Sequence, residues 1–413
     1  MEAVVLAAGK GERLWPLTET RPKPLLPIGN RPILERTLEA LVHSGTKKII
    51  LVVNYKSEMI QERLGNGSRL GCEIEYVKQK SPRGTADAVR SAGDKLSGHD
   101  KFLVMYGDDY FEDDAVKDFV ANAEKNDGCT IGTTMVEDTS RFGKIETNNG
   151  LVTAIREKIA KAGPGLVNSG LYMMDQSILS TVKKTIQSKR GEFELTDSLS
   201  MLIKRGQAVH SDQLKDSGWL GISYPWDLLE ANERVLNHET VSLDGSIEDG
   251  VQLKGTVVIE DDAVVKAGTR IEGPVHVGKG CHIGPNAYLR AHTCLGNDVK
   301  VGAACEVKNS IVMSGTKIPH LSYIGDSVFG EDCSLGAGTI TANLRFDEAT
   351  IKSRVKNVMI ASGRKKLGAI LGDNVRTGIN VSIFPGVKIG QGAWLGPSAT
   401  VEKDVLAGTR IKA

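Results

Sequence analysis

The stretch Leu6-Ala7-Ala8-Gly9-Lys10-Gly11-Glu12-Arg13-Leu14 closes an apolar run, and Arg21-Pro22-Lys23-Pro24-Leu25-Leu26-Pro27-Ile28 follows shortly after. Glycines at the carboxyl end of a strand let backbone N–H groups approach a phosphate, and Arg13 and Lys23 would bring mobile positive charge to it. Gly-x-Gly by itself is equally compatible with a tight turn among solvated lysines; the longer stretch is far more specific. A second feature has the same logic. Apolar Phe102 to Tyr106 runs into Gly107-Asp108-Asp109, placing a carboxylate at the end of a central strand, where α/β folds bind ligands.

The elements that would position these groups are α/β up to about residue 236. Strands are expected at Glu2 to Ala7, Lys48 to Val53, Glu73 to Val77 and Lys101 to Tyr106. Ile33, Leu34, Leu38, Leu41 and Val42 form one apolar helical face after Pro32, and Gly45 supplies the stop. Apolar runs alternating with helix-period segments predict a mainly parallel mixed sheet in a Rossmann-like domain over residues 1–236.

From about residue 240 to 413 the period changes to six. Ile247, Leu253, Ile259, Val265, Ile271, Val277, Ile283, Leu289, Leu295, Val301, Val307 and Met313 are evenly spaced, and a second run goes through Leu371, Thr377, Ile383, Ile389, Leu395, Val401 and Ala407. Two residues before many of these stands a small side chain, as at Ala263, Thr269, Cys281, Ala287, Ala369, Ala393 and Ala399. Large and small inward residues alternating in this way predict a parallel β-helix of stacked short strands. Cys281, Cys305 and Cys333 would be packing residues of that interior. The register breaks between Met313 and Leu371, and the polar segment 342–356 is expected to project, on the face where solenoids carry function.

The N-terminal stretch LAAGKGERLWPLTETRPKPLLPIGNRPIL resembles the signature of the sugar-nucleotidylyltransferase family, and the likeness extends over essentially the whole N-terminal half. It implies that Leu6, Ala8, Gly9 and Gly11 wrap the nucleotide phosphates while Arg13 and Lys23 hold the triphosphate and assist attack. Gln79, with Gly84 and Thr85, would read a pyrimidine base, UTP or dTTP, and Asp108 would be a Mg²⁺ ligand. Gly143, Glu157, Lys158 and Asn168 would bind the sugar and its phosphate. Trp219 to Asn232 resembles a family segment that usually supplies a second metal-binding Asp or Asn, but Gly221 occupies that position here, leaving Asp227, Asp109 or water to substitute.

The six-residue repeat carries its own resemblance. Lys317-Ile318-Pro319-His320-Leu321-Ser322-Tyr323-Ile324-Gly325-Asp326 is similar to the His-Leu-x-Tyr-x-Gly-Asp segment of hexapeptide-repeat glucosamine-1-phosphate acetyltransferases, whose coil is left-handed. His320 would then be the general base for an amine attacking acetyl-CoA. Arg290 and Lys308 would hold the amino-sugar phosphate, Tyr323 lies one short turn from His320, and Asn343 would orient the substrate. A family lysine expected six residues after Asn343 is Ala349 here, so Lys352 is the nearest candidate. The CoA phosphates would meet Arg364, Lys365, Lys366 and Arg376, and the family implies a homotrimer. Two enzymatic readings stay open: a bifunctional enzyme, and a single nucleotidylyltransferase with a structural β-helix. A non-enzymatic regulatory subunit is the third. Glucose, glucosamine and galactosamine derivatives all remain candidate sugars.

Bulk composition bounds the partners. Lys and Arg total 52 against 51 for Asp and Glu, which gives no electrostatic reason to expect nucleic acid or an anionic membrane. The six cysteines form no CxxC pair and read as reduced thiols. With no basic leader and no apolar stretch long enough for a bilayer, the expected location is the cytoplasm.

Overall fold

A computed structural model of the chain describes residues 1–96, 98–157, 163–215 and 218–412. These form two compact units, one of Met1–Lys10 with Ile33–Gly221, the other of Gly11–Pro32 with Ile222–Ala413. The Gly11–Pro32 segment thus belongs to the unit that holds the repeats.

The first unit is built on a nine-stranded sheet. In chain order its strands are β1 (Glu2–Ala7), β2 (Lys48–Val53), β3 (Glu73–Lys78), β4 (Lys101–Tyr106), β5 (Cys129–Val136), β6 (Gly143–Asn148), β7 (Leu151–Glu157), β8 (Gly165–Asp175) and β9 (Val209–Gln213). Their spatial order is β3-β2-β1-β4-β8-β5-β9-β7-β6. The four strands expected from sequence are the parallel half, paired β3 to β2 to β1 to β4. Beyond β4 the pairing is antiparallel except between β5 and β9, so the sheet is half parallel rather than mainly so. The reason is the connections. β6 and β7 are joined by a tight turn, which only an antiparallel pair allows. Val4, Ile50, Val104, Ile131 and Tyr172 are fully buried in one core, and the continuous apolar runs of β1, β2 and β4 follow from that burial.

Helices α1 (Ile33–His43), α2 (Ser57–Leu64), α3 (Thr85–Ala92), α4 (Asp113–Ala123), α5 (Ser177–Val182) and α6 (Leu195–Lys204) complete this unit. The α1 face expected from sequence packs as read: Ile33, Leu34, Leu38 and Leu41 are buried, and Gly45 ends the helix at φ 95°. Among the described residues no helix is long and apolar enough to cross a membrane.

In the second unit each coil passes through three short strands, one in each of three parallel sheets. The first and third sheets have eight strands each. The second has five strands, from Ser246–Ile247 to Lys317–His320, joined through Ser334 to three more that end at Arg410–Ile411. This is a parallel β-helix. Ile259, Val265, Ile271, Val277, Ile283, Leu289, Leu295, Val301 and Val307 all point inward with no exposed surface, and Cys281, Cys305 and Cys333 lie in the same core. All six cysteines are buried and none is in a disulfide.

The first coil steps only four residues from the first sheet to the second, Leu243 to Ile247; from Ile259 onward the repeat departs from six at one corner only. From the third sheet back to the first, Val307 is followed by Val312 rather than Met313, because Leu295 pairs with Val312. Ile324 is followed by Phe329 in the same way, since Val312 pairs with Phe329. At the next coil Thr341 is followed by Leu371, with the intervening residues looped out, and Val401 is followed by Val405 rather than Ala407, which is exposed. Past the first coil the other two corners keep their spacing. The looped-out segment contains an antiparallel hairpin, Lys352–Val355 with Val358–Ala361, and its residues 344–350 are exposed. The break thus begins six residues earlier than the sequence pattern suggests, and it is a property of one edge of the prism.

A last helix, α7 (Asp227–Asn237), also belongs to this unit.

Candidate active sites

In the first unit, the carboxyl ends of β1 and β4 lie side by side, with Leu6 opposite Tyr106. Strand order changes direction between them, the place where open α/β sheets bind ligands. Leu6 and Ala8 are buried, while Gly9 is exposed with open space where a side chain would start. Gly107 packs so closely on Val5 and Leu34 that a Cβ would come within 2.9 Å of each, and this seats half-buried Asp108 at the strand end.

Gln79 is almost fully buried just after β3. Its amide nitrogen donates to Asp87 (2.9 Å) and to the Gly84 carbonyl (3.3 Å). Asp87 also accepts from Arg83 at 2.9 Å and pairs with Arg90. Gly84 sits at φ 121°, and a Cβ there would meet the Phe193 carbonyl oxygen at 2.5 Å, so only glycine allows this approach to the start of α3. Thr85 accepts from the Leu195 amide at 2.9 Å.

Glu157, at the end of β7, packs against Gly143, accepts from Thr196 at 3.0 Å and lies 3.4 Å from Arg190. Asn168 is on β8 at a register shift against β5, where it donates to the Tyr172 hydroxyl at 2.6 Å and accepts from the Gly170 amide at 3.0 Å. Lys158 lies outside the described residues. Gly221 faces the edge-packed rings of Phe142 and Trp219, and a Cβ added there would lie within 2.9 Å of both. A side chain in that place would collide with the rings as they stand.

The signature continues in the second unit. Gly11 adopts φ 69° and its Cα–H points at the Lys23 Cβ, where an added Cβ would be 2.8 Å away; the loop doubles back on Lys23 through it. Lys23 is buried. Arg13 is exposed, its guanidinium 5.6 Å from the Tyr224 ring centroid, and among the described residues it carries no ion pair. Asp227 accepts from the amides of Ser223 (2.7 Å) and Tyr224 (2.9 Å), so one of its oxygens caps a turn instead of standing ready for a cation. Among the described residues no group of three His, Cys, Asp or Glu side chains could hold a metal ion. The donor set suits Mg²⁺ all the same, because that ion is commonly bound by one or two carboxylates with substrate phosphates and water completing the shell.

The irregular edge of the β-helix gathers a second constellation. Asp326, at φ 49° and almost fully buried, accepts from Asn309 (2.9 Å), Asn343 (2.5 Å) and Lys308 (3.2 Å). Asn343 also donates to the Tyr323 hydroxyl at 3.1 Å. Burial pushes the Tyr323 phenol above its usual pKa, so it is a hydrogen-bonding group at neutral pH. Arg290 and Lys308 line a cleft of about 450 Å³ together with Lys254, Glu272, His292 and Glu233. Arg290 is shared with Glu306 at 2.8 Å. His320 ends its strand on the neighbouring corner, exposed; among the described residues no hydrogen bond ties its imidazole to the cluster. Lys352 is exposed on the hairpin, and Arg364 is held by Glu233 at 2.9 Å. Arg376 is exposed beside the Trp394 ring. Asp326 was quoted in the sequence motif without a role; its hub position depends on the left-handed backbone of a shortened corner, which spacing alone does not reveal.

The sequence profile of the Nucleotidyl transferase family matches residues 2–238. The chain belongs to that family. The profile of the GMPPB C-terminal domain matches residues 271–384 of this nucleotidyl transferase. It is 42% identical to the "Bifunctional protein GlmU" of Methanocaldococcus jannaschii, over 100% of this chain and 97% of that one. It is 41% identical to the "Bifunctional sugar-1-phosphate nucleotidylyltransferase/acetyltransferase" of Sulfurisphaera tokodaii over the full length of both. Among solved structures, a putative glucose-1-phosphate thymidylyltransferase from Bacillus anthracis, in complex with a sucrose, matches at TM-score 0.52 and 28% identity, over 56% of this nucleotidyl transferase and 94% of that chain.

Proposed function

We propose that this nucleotidyl transferase is a bifunctional enzyme. One site transfers a nucleotidyl group from UTP or dTTP to N-acetylglucosamine- or glucose-1-phosphate; the other acetylates glucosamine-1-phosphate from acetyl-CoA. In the first reaction a sugar-phosphate oxygen attacks the α-phosphorus in line, the new P–O bond forms, and the bond to pyrophosphate breaks. Arg13 and Lys23 hold the triphosphate and neutralise the charge that develops, with Leu6, Ala8, Gly9 and Gly11 lining the phosphates. Gln79, Gly84 and Thr85 receive the base, and Gly143, Glu157, Lys158 and Asn168 the sugar. Magnesium, held by Asp108, supplies further neutralisation of the phosphates when bound.

In the second reaction His320 takes a proton from the amine as its nitrogen bonds to the acetyl carbonyl carbon; the C–S bond breaks and the CoA thiolate leaves. Arg290 and Lys308 hold the sugar phosphate, Asn343 and Tyr323 orient the sugar, and Lys352 reaches from the hairpin. We place CoA along the late coils, near Lys365, Lys366 and Arg376. The coil is left-handed in this reading and the assembly a homotrimer, in support of which Leu321 (66%) and Ile379 (55%) expose apolar surface on the coils. Six cysteines outside any disulfide agree with a reducing cytoplasm.

The observation that carries the second activity is the Asp326 cluster, which joins Lys308, Asn343 and Tyr323 by hydrogen bonds at the one irregular edge of the coil. A single-activity reading, with a structural β-helix, is favoured by one fact: the His320 imidazole has no hydrogen-bonded partner among the described residues to orient it. CoA release from acetyl-CoA and glucosamine-1-phosphate decides between them. His320→Ala is expected to lower it by about 100-fold or more while UTP-dependent pyrophosphate release persists. No CoA release by the unaltered protein, with galactosamine-1-phosphate also tried, leaves nucleotidyl transfer alone.

A further inference from the structure

The segment that bears Arg13 and Lys23 runs along a corner of the β-helix, in the second unit. At this corner, between the first and second sheets, the coils keep their six-residue spacing, so equivalent turn residues stack in a column. Arg21, almost fully buried, donates to Glu331 at 2.6 Å and to Asp373 in the coil above. Asp373 is itself held by the Glu331 amide at 2.8 Å. Glu19 accepts from the Gln391 amide at 3.1 Å, one coil further on, and Asn30 meets Asn297 at 3.2 Å, two coils before Glu331. Pro16 abuts Gly372, and the Lys388 ammonium lies 5.3 Å from the Trp15 ring. Residues 15–30 thus form a strap laid on the column, with Arg21 as a buried charge clamp.

Nothing in acetyl transfer calls for this clamp. The cluster around Asp326 and the cleft beside it lie on a different corner. A buried guanidinium shared by two carboxylates fixes position more sharply than apolar packing, because losing either partner leaves buried charge uncompensated. Lys23 is two residues from that fixed point.

We propose that Arg21, Glu331 and Asp373 are positioning residues for nucleotidyl transfer: the β-helix holds the phosphate-binding segment at the geometry the reaction needs. The coils then serve both reactions, one through the irregular corner and one through this regular corner. The inference rests on the nucleotidyl-transfer reading given above.

The test uses the full-length chain carrying Glu331→Gln with Asp373→Asn, and separately Arg21→Gln. Pyrophosphate release with UTP and N-acetylglucosamine-1-phosphate, CoA release, melting temperature and amide hydrogen exchange of residues 11–32 are measured. In the carboxylate double variant kcat/KM for UTP is expected to fall about tenfold or more. CoA release stays within about twofold, and exchange in 11–32 accelerates. Combining all three substitutions should cost no more than Arg21→Gln alone, as one clamp is removed once. Unchanged nucleotidyl transfer in the double variant overturns the proposal, as do equal losses in both activities with a lowered melting temperature. Absence of pyrophosphate release by the unaltered protein sinks the nucleotidyl reading instead, and unchanged exchange in 11–32 then rejects the clamp on its own.

Discussion

Because an ionised carboxylate can only accept hydrogen bonds, Asp87 decides which end of the Gln79 amide faces it. Burial opposes ionisation of Asp87, but hydrogen bonds from Gln79 and Arg83 and the charge of Arg90 outweigh it and lower the pKa. The Gln79 nitrogen is therefore directed inward, and in the proposed reading its oxygen receives the base. An amide oxygen accepts the N3–H of uracil or thymine and opposes the bare N3 of cytosine. Asp87→Asn removes that constraint, since an asparagine can donate or accept. The expected result is a fall of about tenfold in kcat/KM for UTP with a smaller fall for CTP, so that the UTP/CTP ratio narrows. Equal losses with both nucleotides would mean that Asp87 only supports the fold. At this scale a motif singles out Gln79, whereas its partner Asp87 sits eight positions away on a helix with no signature of its own. Gly221 is the converse case. Its departure from the family pattern was visible, but the closeness of the Phe142 and Trp219 rings was not.

Elements are held to one another by similar devices. His276 projects from its strand, Val275–Val277, between Glu239 just beyond α7 (3.0 Å) and Glu260 (2.9 Å). Burial alone would depress its pKa, yet the two carboxylates raise it to about 9. A raised folded pKa stabilises while the group is protonated, so the full contribution is present below pH 6.5 and is lost as pH climbs through 9. It is worth on the order of 2–3 kcal/mol. The melting temperature of the whole chain should drop between pH 6.5 and 9.5, and His276→Gln should flatten that slope; a slope that survives the substitution belongs to other groups. Nothing in the six-residue repeat shows what His276 grips. The six-residue strands were readable because inward residues must alternate in size. The corner steps of five were not, since skipping one residue leaves Met313 and Val312 equally apolar.

For the molecule as a whole, the two lessons combine. Continuous apolar runs and a strict repeat made both folds legible from pattern, as did the family likeness over the full chain. The antiparallel half of the sheet and the strap of residues 15–30 were not, because they depend on pairings between segments remote in the chain, such as Leu171 with Met105 and Arg21 with Glu331. The repeat itself separates two duties. Past the first coil, two corners carry the stacking at a constant six residues, and the third takes every change of length. A Gly-Ser pair inserted between Asp261 and Asp262, on an invariant corner, should lower the melting temperature by several degrees. The same pair inserted between Arg345 and Phe346, in the looped-out segment, should leave it unchanged. If both insertions melt alike, the corners do not differ in this way. Should they differ as expected, the coil resembles a loom with a fixed warp and one free selvedge. New recognition chemistry can then arise by lengthening or trimming that margin while the interior is inherited intact. Divergence of substrate among descendants of such a chain would be recorded there first, in gaps and insertions, before any inward residue had changed.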